Sequence, residues 1–223
     1  MFEVTQAWKT AFPGAHAGVL VMRDVQNPAS DARLERAKED LMGQLRTRYG
    51  GLDRSQLQAL PVLQVYEAYY KRFKKTYHVQ LQLESIVFKG KSIPSVAALV
   101  EAMFMAEVKN MLLTAGHDLD SLQAPIRLDV TRGSEIYTLL RGQPQQVKAG
   151  DMMISDEQGI LSNIIYGPDQ RTQIQAGTRN VLYTTYAPAG IEAAAVDAHL
   201  RDIEACVRMF SAQARTELLQ VFG

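Results

Sequence analysis

LTAGHDLDSL, residues 113–122, is the stretch on which the fold turns, read together with LESIVFKGKSIPSVAALVEAM, residues 83–103. The second segment is a Gly- and Pro-punctuated entry into an apolar helix. Ser92-Ile93-Pro94-Ser95 opens that helix. Val96, Leu99, Val100, Met103, Phe104, Val108 and Met111 give it a wide apolar face, so its burial is expected. The helix runs to about Met111 and is stopped by Gly116. Beyond Gly116 the apolar spacing changes from the helical period to the alternation of a half-buried strand. IRLDV (126–130), IYTLL (136–140), DMMIS (151–155), ILSNIIY (160–166) and NVLYTTY (180–186) read as strands. Arg132-Gly133, Arg141-Gly142, Glu157-Gln158-Gly159 and Gly167-Pro168-Asp169 are the turns between them.

Working outward, Ala187-Pro188-Ala189-Gly190 ends the strand region, and an amphipathic helix is expected from Ile191 to Val221. Toward the N-terminus, AGVLVM (17–22) reads as a buried strand, and Asn27-Pro28 breaks the chain. A helix is expected from Ser30, with Asp31 in its first turn, to Gly50-Gly51. A second covers about 62–75, with Val62, Val65, Tyr69 and Phe73 on one face. Strand, helices, several strands and a closing helix make an α+β fold. Its sheet or sandwich core spans about 126–187 and is flanked by helices, unlike a doubly wound parallel sheet. With no repeat and no linker, residues 1–223 are expected to form one domain.

The composition narrows the function classes. Lys plus Arg and Asp plus Glu are both 24, so the net charge is zero. That argues against bulk electrostatic binding of long nucleic acid but leaves room for a local patch that holds an RNA end. The single cysteine, Cys206, excludes an internal disulfide and fits a reducing cytoplasm. It lies on an apolar stripe, as a small buried hydrophobe would. No signal-peptide pattern is read in MFEVTQAWKTAFPG, and no apolar run has the length of a membrane span, so a cytoplasmic location is expected. His16, His78, His117 and His199 are scattered and lack metal-ligand spacing. GKS at 90–92 lacks the glycine-rich run of a P-loop. Neither a metal nor a cofactor is expected.

Three segments hold candidate chemistry. YYKRFKKTYH (69–78) interleaves Lys71, Arg72, Lys74 and Lys75 with aromatics. Cations can hold phosphates while rings stack on unpaired bases; alternatively this is a solvated helix end whose aromatics pack inward. His117, Asp118 and Asp120 form a polar cluster that could position water or could serve only as turn and cap chemistry. Thr178, Asn180, Thr184 and Thr185 could grip an amino acid or ribose, or could be ordinary strand threonines.

FPGAHAGVLVMRDVQN (12–27), KGKSIPS (89–95), GHDLD (116–120), GDMMISDEQG (150–159) and TRNVLYTTYAPAGI (178–191) follow one another in a recognisable order. Through most of its length the chain resembles the B3/B4 tRNA-editing domain of the phenylalanyl-tRNA synthetase β subunit. It resembles still more closely the freestanding proteins made of that domain alone. The resemblance implies an editing fold and a pocket that hydrolyses tyrosine wrongly attached to phenylalanine tRNA. It further implies a Thr-Asn pair on the central helix, a His three residues before the Asp-Leu-Asp step, glycine pairs at strand ends, and a Glu that reads the phenol.

This chain departs from each of those pocket positions. Met103 and Phe104 stand in place of the Thr-Asn pair, and Ala115 in place of the His, with His117 two residues later. Ser162-Asn163 and Tyr166-Gly167 replace the glycine pairs, and Tyr183 stands where the Glu belongs. The expected function is therefore trans-acting hydrolysis of a misacylated tRNA ester other than the tyrosyl ester. His117, Asn163 and Thr178 are the catalytic candidates; Met103, Phe104, Tyr166, Gly167 and Tyr183 are the substrate-binding ones. The partner is the aminoacylated 3′ end of a tRNA. The alternative is a non-catalytic module that kept the fold and binds tRNA, an amino acid or a protein. A cavity is expected between the 117–120 segment, the 162–167 strand end and the 178–185 strand.

Overall fold

Strand β10 (Val181–Ala187) is buried along its whole length, and the other elements are arranged around it. The computed structural model describes residues 2–223. β10 lies inside a four-stranded antiparallel sheet in the order β11 (Arg215–Phe222), β2 (His16–Arg23), β10, β3 (Leu113–Asp118). A second sheet runs β1 (Phe2–Val4), β4 (Ile126–Val130), β7 (Met152–Asp156), β8 (Gly159–Asn163), β9 (Gly167–Pro168). Within it β1 pairs in parallel with β4, and the rest are antiparallel. A small hairpin, β5 (Ile136–Thr138) and β6 (Pro144–Gln146), stands apart. The expected α+β class is found. The central sheet also draws β2, β3 and β11 from outside 126–187.

The helices divide into a short α1 (Gln6–Ala11), then α2 (Ala32–Tyr49), α3 (Arg54–Gln58), α4 (Pro61–Lys71), α5 (His78–Lys89), α6 (Ala98–Asn110) and α7 (Ala193–Phe210). Alternation along β10 gives each face one task. Tyr183 donates its hydroxyl to the Leu99 carbonyl of α6 (2.8 Å), and Thr185 joins Thr114, which in turn meets His199 of α7. Tyr186 turns the opposite way and meets Ser162 of the second sheet. Helices thus cover one face and the second sheet covers the other.

Helix α4 binds the two sheets together through its buried tyrosines. The Tyr66 hydroxyl reaches the Tyr186 carbonyl and accepts from Leu113 N–H, while Tyr70 donates to the Ile164 carbonyl at 2.9 Å. Tyr69 donates to Asp151 Oδ1 at 2.7 Å. The buried Tyr77 stacks on Tyr66 with ring centroids 4.2 Å apart. The aromatics of 69–78 are therefore core, which rules out Tyr69, Tyr70 and Tyr77 as base-stacking platforms. The cations among them are exposed.

Three boundaries differ from the expectation. The central helix ends at Asn110, because Met111 adopts a left-handed conformation (φ 59°), and Gly116 sits within a strand. The closing helix ends at Phe210, and Arg215–Phe222 returns as β11 on β2. Its Leu-Leu-Gln-Val-Phe run satisfies either period, and the open edge of β2 decides it. Helix α5 was read only as an approach to the central helix; it is a full helix, closed by Gly90 in the left-handed conformation (φ 64°).

Asn27, at the break before α2, has a structural task. Its Oδ1 accepts from Leu99 N–H in the first turn of α6, and its Nδ2 donates to the Gln175 carbonyl. Helix α2 is fastened to α6 by a buried ion pair, Lys38 Nζ to Glu101 Oε2 at 2.7 Å. The other Glu101 oxygen accepts from Val96 N–H. Removing one partner strands a charge in a dry interior. Lys38→Met alone should destabilise the protein by about 3–5 kcal/mol in urea unfolding. The double variant Lys38→Met, Glu101→Leu should recover much of that loss.

Candidate functional site

The sequence between Ala98 and Gly116 builds one wall and the floor of a cavity of about 360 Å³. Val96, Val100, Met103, Phe104 and Glu107 come from α6 and the turn before it, and Leu113 to Gly116 from β3. Because β3 is the edge of its sheet, no further strand closes that side. The opposite wall is Asn163, Ile164, Gly167 and Pro168 around β8 and β9, with Gln173, Ile174, Leu140 and Tyr186. His78, at the start of α5, lies at the rim. Gly116 permits the close approach of its neighbours: a Cβ there would sit 2.8 Å from Ile174 Cδ1 and 3.2 Å from the Tyr183 ring.

The structure brings together only some of the expected site residues. Met103, Phe104, Asn163 and Gly167 line the cavity. Asn163 Oδ1 accepts from Tyr166 N–H at 2.8 Å, which fixes the β8–β9 turn. Tyr166 lies beside the cavity and carries the Lys75 ammonium 5.5 Å above its ring. Of the cations at 71–75, Lys75 alone is seen beside Tyr166; Lys71 is paired with Glu67, and Arg72 packs on Tyr69 and Phe73.

His117, Thr178 and Tyr183 do not line it, which corrects their expected placement. Tyr183 is on the face of β10 that meets α6. Thr178 donates to Asp118 Oδ2 at 2.7 Å and accepts from Gln175 N–H, beyond the far end of β10. Asp120 is held by Asn180 in the same cluster, so the turn-and-cap reading describes it.

His117 is wholly buried. Its Nε2 meets Ser162 Oγ at 3.1 Å and its Nδ1 meets Thr172 Oγ1 at 2.8 Å. Burial, with repulsion from the nearby Arg171, pushes its pKa down to about 3. A neutral imidazole with both nitrogens engaged behind the wall is not available as a base to anything in the cavity. Its network does reach the wall: Ser162 Oγ lies 2.7 Å from the Tyr186 hydroxyl. On the outer side Thr172 meets Asp169, and Arg171 is bidentate on Asp156.

Two cavity residues escaped the sequence reading as site groups. His78 was read only as the end of the basic stretch. Its edge is exposed, yet the apolar surroundings hold its pKa below 6.5. Glu107 was hidden in the apolar helix. It is 1% exposed, and burial pushes its pKa up to about 8, against a smaller opposing effect of the Thr114 N–H that donates to Oε1 at 2.8 Å. A charged residue on the apolar face of a helix was the available signal. Cys206 is half-buried with its thiol pushed up to about 11, unsuited to nucleophilic attack. Among the described residues, no group of three His, Cys, Asp or Glu could hold a metal, and no helix is long and apolar enough to cross a membrane.

The two buried neutral histidines contribute stability that is lost in acid. The pKa of His199 is likewise pushed down, to about 4. Below pH 6.5 the unfolded chain takes up protons at both sites while the folded protein does not, so stability is present above pH 6.5 and is lost as pH falls. Each histidine contributes about 1.4 kcal/mol of loss per pH unit until its folded pKa is reached. Glu107 and Asp151, held protonated by burial with pKa values pushed up to about 8 and about 7, contribute the opposite slope, so the histidine contribution is read as a difference. In urea unfolding from pH 7 to 4, the stability of the wild type relative to His117→Gln should fall by about 1.4 kcal/mol per pH unit below 6.5.

No curated protein matches the chain. Among solved structures, the N-terminal fragment of the phenylalanyl-tRNA synthetase β subunit from Pyrococcus horikoshii has a similar fold, with a TM-score of 0.52 at 10% identity. The likeness covers 100% of this chain and 54% of that one, so this protein spans about half the fragment's length. The model of the B3/4 domain matches residues 64–208, from within α4 through nearly all of α7. That is more than half of the 223 residues, and it includes every wall of the cavity: the chain belongs to the B3/4 domain family.

Proposed function

We propose that this protein receives the aminoacylated 3′ end of a tRNA in the cavity and hydrolyses the ester of a misattached amino acid. The observation that carries this reading is the cavity itself. Its walls are mostly apolar, as an amino-acid side chain requires, and Asn163, Gln173, Glu107 and the rim histidine supply hydrogen-bonding groups. Ester hydrolysis needs a positioned water and donors for the developing oxyanion. Asn163 is the side chain best suited to orient the ester. His78, uncharged at neutral pH, is suited to take the proton of the water, aided by the vicinal hydroxyl of the tRNA's terminal ribose. Lys75, beside Tyr166, and the other exposed cations of 71–75 suit the phosphates of the acceptor end.

The tyrosine-specific chemistry of the synthetase domain is not carried over, because Tyr183 is turned away from the cavity and narrows nothing. A second reading, a binding module without hydrolysis, is favoured by the engagement of both His117 nitrogens in structure.

Incubating the purified protein with a panel of mischarged tRNAs separates the two. Hydrolysis of at least one ester, reduced about a hundredfold in kcat by His78→Asn, is the expected result. Saturable binding of charged tRNA with no ester turned over would select the module. Replacing Lys71, Arg72, Lys74 and Lys75 with Gln should weaken tRNA binding. The salt dependence should flatten by about one unit of log–log slope per lost phosphate contact. Unchanged affinity across salt would leave these cations as a solvated helix end.

A further inference from the structure

Glu107 is 99% buried, yet it is incompletely used by the protein. One oxygen accepts from Thr114 N–H. The other has no partner among the described residues, and Glu107 lines the cavity. A buried polar group with spare capacity costs free energy unless something occupies it. Around it the cavity presents Met103, Phe104, Leu113 and Ile164, which offer a ligand no competing charge.

We propose that Glu107 reads the ligand, its uncommitted carboxyl oxygen donating a hydrogen bond to an acceptor oxygen on the molecule that fills the cavity. This deepens the reading given above and rests on it for the nature of that molecule. An aminoacyl ester offers the ester carbonyl oxygen and, where the amino acid is a hydroxyl one, a side-chain hydroxyl. A carboxyl kept protonated in an apolar site is a strong, preorganised donor. The donor exists only while the proton does. With a pKa of about 8, Glu107 keeps it at neutral pH and loses it above.

The other titratable groups near it do not mask this change. His78 on α5 titrates below 6.5, and the phenols of Tyr66 and Tyr70 on α4, Tyr77 before α5 and Tyr186 on β10 are all raised above 10 by burial. Lys109, further along α6, is paired with Asp202 of α7.

The test uses two stable amide analogues of aminoacyl adenosine, 3′-threonylamino- and 3′-valylamino-3′-deoxyadenosine, whose side chains differ as hydroxyl and methyl. Binding to the full chain is measured by calorimetry from pH 6.5 to 9.5. The wild type should weaken about tenfold per pH unit above 8 for any probe whose oxygen Glu107 contacts. The α-amino group of either probe titrates at about 7.7–8.0, in the same window, so the part of Glu107 is read against Glu107→Gln. That variant keeps a donor and the bond to Thr114 and should show only the probe's own pH dependence; Glu107→Leu should lose affinity at every pH. If the loss is confined to the threonyl probe, the side-chain hydroxyl is the acceptor. If both probes weaken alike, it is the carbonyl.

A wild-type profile no steeper above pH 8 than that of Glu107→Gln, or no saturable binding of either probe, overturns the proposal. The Glu107→Gln profile carries the test even if Glu107→Leu fails to fold, which thermal melting at pH 6.5 reports. Turnover of mischarged tRNA by the same preparation reports separately on hydrolysis. It can be absent while the proton-linked binding stands.

Discussion

One buried polar chain joins the two sheets directly, and the site depends on it. His117 on β3 joins Ser162 on β8, and Ser162 joins Tyr186 on β10. Each group is fully or almost fully buried, so each bond replaces one to water that the fold has taken away. Breaking the chain at any point leaves a donor or acceptor stranded. The sheets are thereby held at one spacing and one register. That spacing leaves a cavity at the open edge of β3 rather than a closed sandwich. The histidine expected to do chemistry instead positions the wall behind which chemistry is proposed.

The interior is unusually rich in ionisable groups held neutral. His117 and His199 are kept unprotonated, while Glu107 and Asp151 are kept protonated toward neutrality by the same burial. Asp151 is committed through both oxygens, Oδ1 to the Tyr69 hydroxyl and Oδ2 to Ile165 N–H. Glu107 is not. Between two buried carboxyls of similar environment, the one with an open oxygen facing space is the one with a ligand to meet. The ion pair of Lys38 and Glu101 shows the other solution to burial, mutual neutralisation, and it sits away from the cavity between α2 and α6.

Membership of the B3/4 domain family and the altered pocket are compatible. The architecture is set by apolar alternation and by the tyrosines of α4, which tolerate wide changes in the cavity lining. The lining itself sets specificity and is free to change without disturbing the sheets. Met103 and Phe104 make the α6 wall apolar, and the polar groups that remain, Asn163 and Glu107, come from different elements.

The sequence by itself determined the class of fold. Short β-favouring runs at 126–130, 151–155 and 180–186, set between turn signals, read as strands, and the wide apolar face of 96–111 reads as a buried helix. It also carried the family, through motifs in order. It did not determine β11, since Leu-Leu-Gln-Val-Phe fits both periods until the edge of β2 offers hydrogen bonds. Nor did it determine which side chains share the cavity. Strand alternation can be counted, but which face of β10 meets helices and which meets a sheet depends on pairings between residues more than a hundred positions apart, such as Leu20 with Tyr183. That contact turned Tyr183 and His117 away from the cavity, and the end of α6 brought in Glu107. Burial depends on neighbours that are distant in the chain, so the pKa of Glu107, and with it the proposed use of Glu107, belongs to the tertiary structure alone.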